Sequence, residues 1–92
     1  MDDKEKYRTE IEVRMSKFNK TIEEIVNKKK QREVWIPDIQ IEGLLQKKEN
    51  ARGRLKALEQ SDDSGWEKIK SELDQLVEGI DEDLRRAMAY FG

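Results

Sequence analysis

The chain contains no cysteine and no histidine, and proline occurs once, at Pro37. Without cysteine there is no disulfide framework, and without cysteine or histidine no thiolate or imidazole metal site. No serine can be activated by a histidine base. Aromatic residues make up 7% of the chain, and its longest apolar run is Ala87-Met88-Ala89-Tyr90-Phe91. A membrane-spanning helix needs about 20 apolar residues, so none is expected. Met1-Asp2-Asp3-Lys4-Glu5-Lys6 has no apolar core of the kind a secretory leader carries. The expected location is therefore the cytoplasm.

Charge is abundant. Of 92 residues, 43% are Asp, Glu, Lys or Arg, with a net charge of only −2. Such a composition can signal disorder, but here the signs are interspersed and the apolar residues fall at regular intervals. Residues 1–60 hold 15 basic and 12 acidic side chains, and residues 61–92 hold 4 and 9. A basic first part is thus followed by an acidic last third that can pack against it.

Three helices are expected, at about 3–32, 38–60 and 64–91. In the first, Tyr7, Ile11, Met15, Phe18, Ile22 and Ile25 are spaced by three and four, which is one stripe of an α-helix. Lys29 and Arg32 continue that stripe, so the helix should leave the core near its end. Pro37 disfavours helix at Ile36 and suits the start of the next helix. The second stripe is Ile41, Leu44, Leu45, Lys48, Ala51, Leu55 and Leu58, thinned by Gly43 and Gly53. Ser61-Asp62-Asp63-Ser64-Gly65 reads as a turn, and Ser64 with Glu67 fits a capping box. The third stripe is Trp66, Ile69, Leu73, Leu76, Ile80, Leu84, Ala87 and Phe91. Its end is supported by Asp81→Arg85 and Glu82→Arg86 pairs.

Short connections make successive helices antiparallel neighbours. The expected fold is all-α, a single up-down-up three-helix bundle, with Tyr7 near Trp66 and with Trp35 and Ile36 near Met88 and Phe91. The rival is a long helical hairpin in which the second and third helices are continuous and two chains dimerise. About 20 apolar side chains form a small core for three helices, which favours a homo-oligomer or a protein partner.

Three stretches resemble a group of small bacterial coiled-coil proteins associated with stress response. Tyr7-Arg-Thr-Glu-Ile-Glu12 leading to Met15 and Phe18 is similar to that group's opening helix. Leu55-Lys-Ala-Leu58, a Ser/Asp-rich turn and Trp66-Glu-Lys-Ile-Lys70 are similar to its middle, and Arg86-Ala-Met-Ala-Tyr-Phe91 to its end. Trp35-Ile36-Pro37-Asp38 departs from the group, whose members run as continuous charged helix there. The resemblance implies a helical bundle or hairpin acting in stress response, with no catalytic residues and no known ligand.

Candidate sites are surfaces. Lys28, Lys29, Lys30 and Arg32 form a basic cluster, and Lys47, Lys48, Arg52, Arg54 and Lys56 form a second. Either could contact nucleic acid, but the pI near 5.3 disfavours it, since phosphate binding draws on net positive charge. The carboxylates of the third helix lack the spacing of a calcium loop and the histidines of a di-iron bundle. No metal, cofactor or small-molecule substrate is expected, and no enzyme activity. Trp35, Ile36, Ile39 and Ile41 form an apolar cluster outside the stripes, read first as a cap over the bundle end and second as a docking patch. The third helix has an acidic polar face, which disfavours its lying on an anionic membrane. The leading reading is a non-enzymatic module acting by self-association or a protein partner. The alternative is an accessory protein of nucleic acid or a membrane surface that uses the basic clusters.

Overall fold

A computed structural model describes residues 3–32, 34–62 and 64–91. Three helices form an all-α bundle: α1 (Asp3–Lys30), α2 (Asp38–Gln60) and α3 (Trp66–Met88), followed by a 3₁₀ turn over Ala89–Phe91. The molecule is a rod of 48 × 21 × 17 Å. Its long dimension is that of α1, since 28 helical residues span about 42 Å at ~1.5 Å each.

The order is up-down-up. At one end Tyr7 and Trp66 meet with ring centroids 6.2 Å apart, and Arg8 pairs with Glu59 at 3.8 Å. At the other end Trp35 meets Tyr90 edge-on at 6.0 Å, while Lys29 pairs with Asp38. Trp35 therefore packs on Tyr90, within the expected segment between Met88 and Phe91. α2 and α3 are separate helices, which removes the continuous-hairpin arrangement.

All six stripe residues of α1 are buried, as is Ile36. They close over Leu44, Ala51 and Leu58 of α2 and over Leu73, Val77, Ile80, Leu84 and Ala87 of α3. Val77 lies outside the expected stripe of α3, and Leu76, Trp66 and Phe91 are only partly buried. Leu76 instead borders an open groove between α2 and α3. Leu45, expected in the α2 stripe, is exposed.

The breaks have local causes. α1 ends as Arg32 adopts φ 60°, the left-handed conformation that closes many helices and that glycine adopts most cheaply. The Arg32 amide donates to the Lys29 carbonyl at 3.1 Å. Pro37, at φ −58° and ψ 141°, precedes the first turn of α2, and its carbonyl accepts from the Gln40 amide at 3.0 Å. The ends differ from expectation by one short turn: α1 stops at Lys30, and α3 begins at Trp66 and ends at Met88.

The capping box does not form. Asp62 Oδ1 instead accepts from the Ser64 amide at 3.1 Å, the Ser64 hydroxyl at 2.9 Å and the Gly65 amide at 2.9 Å. Asp62 wins because one ionised acceptor can take several donors at once. The Ser64 hydroxyl bond, with the two amides behind it, holds this carboxyl below its ordinary pKa.

Candidate interaction surface

Two polar assemblies and one exposed end stand out from the helical background. The first assembly clamps α1 to α3. The Tyr7 hydroxyl donates to Asp74 Oδ1 at 2.5 Å and lies 3.2 Å from the Lys70 carbonyl. Lys70 pairs with Asp74 at 3.2 Å and stands 5.0 Å from the Tyr7 ring centre. Burial, then the hydrogen bond and charge of Asp74, push the phenol well above its ordinary pKa. Tyr7 therefore stays neutral and donating, a structural latch.

The second assembly lies between α2 and α3. Among the described residues Asp83 is the buried charged one, and its carboxylate meets Lys47 at 2.8 Å and Arg86 at 3.6 Å. The lysine stem passes Gly79, and Asp83 faces Gly43. Further along, Arg54 pairs with Glu72 at 2.9 Å. In each of the couples 43/83, 47/79 and 54/72 the two residues are equally far in sequence from position 63. The hairpin therefore keeps one register over its length. Lys48, expected at the seam, is half-buried and lies toward α1 with Asn19 and Ile22, while its neighbour Lys47 faces α3.

This pairing also neutralises most of the basic cluster at 47–56. Lys47 and Arg54 are held by α3, and Arg52 by Glu49 at 3.3 Å. An open groove of about 610 Å³ runs beside it between α2 and α3, lined by Glu49, Asn50, Gly53, Arg54, Glu72, Gln75 and Leu76. Among the described residues no group of three or more carboxylates is placed to hold a metal ion. No helix among them is long and apolar enough to cross a membrane.

The exposed end is where α1 stops, α2 starts and the 3₁₀ turn follows α3. Trp35 is 74% exposed and Ile39 75% exposed, whereas Ile36 between them is 1% exposed. Extended backbone points successive side chains to opposite sides, so the loop sends Ile36 into the core and Trp35 outward. Ile36 thus leaves the candidate surface and becomes the cap. Met88 and Tyr90 join the exposed set, although Met88 was expected to help cover the loop.

Around these apolar groups stand the cations of the first cluster. Lys28 and Lys30 are exposed, as is Arg32, with the Lys28 ammonium 5.1 Å from the Phe91 ring centre. Lys29 is drawn to Asp38, and these two share an open apolar groove with Val26, Lys30, Ile41 and Glu42. Lysines at the end of α1 and Arg85 and Arg86 in the last turn of α3 complement the negative ends of two helix dipoles. The opposite end carries charges of both signs, among them Lys4, Arg8, Glu59, Asp62, Glu67 and Lys68. Sequence reasoning found the cations and Trp35. It named Lys47 in a basic part that packs on the acidic third helix, but missed Asp83, whose burial follows only from the approach of two helices. No family model, no curated protein and no solved structure matches this chain.

Proposed function

We propose that the protein is a non-enzymatic helical module that works by surface contact, with its basic aromatic end as the working surface. The observation that carries this is the exposure of Trp35 and Ile39 at the end of a bundle whose α1 stripe is wholly buried. An indole and a branched aliphatic side chain held in water are costly unless something covers them. The small core and charge-rich surface support self-association or a protein partner, and the resemblance supports a stress-response setting. A second reading, association with an anionic surface, is favoured by the cations gathered around the aromatic pair.

A photoreactive residue placed at position 35 tests the assignment of the working surface. Crosslinks formed in cells from position 35, and not from position 20 midway along α1, are the expected result. Equal crosslinking from both positions would remove the assignment. Sedimentation equilibrium across a range of concentrations separates self-association from contact with another molecule.

A further inference from the structure

We infer that the basic aromatic end seats on an anionic lipid surface, its apolar side chains entering the headgroup zone and its lysines meeting the phosphates. The inference rests on the reading of this end as the working surface and names its partner. It differs from the membrane mode that the acidic face of α3 disfavours, because the rod meets the lipid by its end and α3 does not lie flat.

Three features select a bilayer over the other occupants. The first is composition. Trp35 and Tyr90 touch edge-on and are both exposed, with Ile39 and Met88 also open. Trp and Tyr, with an apolar body and a polar tip, are the side chains enriched where lipid tails meet headgroups. The second is charge. Lys28, Lys30 and Arg32 are exposed at the same end, where Asp38, Asp81 and Glu82 are paired with Lys29, Arg85 and Arg86, and each cation near an anionic leaflet strengthens attachment. A second copy offering the same end would bring like charges together, and a duplex backbone would leave the apolar side chains without a role.

The third feature is size. A stable protein interface takes about 800 Å² from each partner. An end measuring 21 × 17 Å between Cα atoms supplies that only if nearly all of it, cations included, is covered. A bilayer demands less. Four apolar side chains enter while the ammonium groups stay hydrated at the depth of the phosphates, as snorkelling lysines do.

Co-sedimentation with vesicles tests the inference, using the full chain at about 0.15 M salt. Vesicles of phosphatidylcholine alone are compared with vesicles carrying about a third phosphatidylglycerol, and a DNA duplex serves as a non-lipid polyanion. Anionic vesicles should bind at least about tenfold more tightly than neutral ones. Trp35→Ser with Ile39→Ser should lower that binding about tenfold, and so should Lys28→Glu with Lys30→Glu. Lys17→Glu with Lys20→Glu, on the exposed middle of α1, should leave it within about twofold. Circular dichroism confirms that each variant is folded.

Absence of binding to anionic vesicles overturns the inference. So does equal binding by the Trp35/Ile39 variant, or tighter binding to the duplex than to the vesicles. Crosslinking from position 35 to a protein, with no vesicle binding, removes the lipid partner and leaves the working surface standing. Failure of both removes the two together.

Discussion

At the scale of single residues, two positions store measurable effects. Arg32 closes α1 with φ 60°, a conformation that costs a side-chain-bearing residue about 1 kcal/mol and glycine little. We expect Arg32→Gly to raise stability by about 0.5–1 kcal/mol in denaturant titrations. Tyr7 is the second. Its hydroxyl bond to Asp74 is to a charged acceptor, so Tyr7→Phe should cost about 1–2 kcal/mol. The folded-state pKa of this phenol is raised by burial and by Asp74. Its contribution is therefore complete below the unfolded value of about 10 and is lost as pH rises beyond it. The stability gap between the native protein and Tyr7→Phe should narrow above that pH in thermal melts. Neither effect was legible in the sequence. Tyr7 reads there as one more stripe residue, because the partner that makes it a latch lies far along the chain.

At the scale of the helices, α1 was legible in full and α2 and α3 in part. α1 presents an uninterrupted apolar stripe to both other helices, so periodicity alone identifies its buried side. α2 and α3 lie closer to each other, and their facing arcs include charged groups that an apolar pattern cannot reveal. Lys47 and Asp83 are the clearest case. Removing one member of such a pair leaves a charge in poor surroundings, whereas replacing both can be nearly neutral. Lys47→Met alone should cost about 1–3 kcal/mol, moderated by Arg86 and by the partial exposure of the lysine. The double variant with Asp83→Leu should recover most of that loss, and a double-mutant cycle measures the coupling. Gly53 offers a simpler test. A Cβ there meets nothing within 4 Å, so Gly53→Ala should stabilise α2 by about 0.5–1 kcal/mol.

At the scale of the whole molecule, the rod separates stability from contact. The buried stripes and the two polar assemblies hold the bundle together along its length. Trp35 and Ile39 stand apart at one end and are three-quarters exposed. Trp35→Ser with Ile39→Ser should therefore change the unfolding free energy by no more than about 0.5 kcal/mol. The same change should remove the contacts proposed for that end. A much larger loss of stability would mean that the pair belongs to the core. The gathering of cations at that end follows from topology. Two helices finish at the basic end, and lysines and arginines in their last turns suit both dipoles there.

The sequence by itself determined the helix number, the two breaks and the buried stripe of α1. Those depend on local periodicity, on one proline and on a Ser/Asp-rich turn, and local interactions are written in consecutive residues. Only the tertiary structure decided that Ile36 is buried while Trp35 and Ile39 are not. It also decided that Lys47 rather than Lys48 faces α3, and that Trp35 meets Tyr90 edge-on. The physical reason is that these outcomes are set by the angle of an extended loop and the register of a helical hairpin. Both are fixed by packing between residues distant in the chain, and no short-range pattern encodes them.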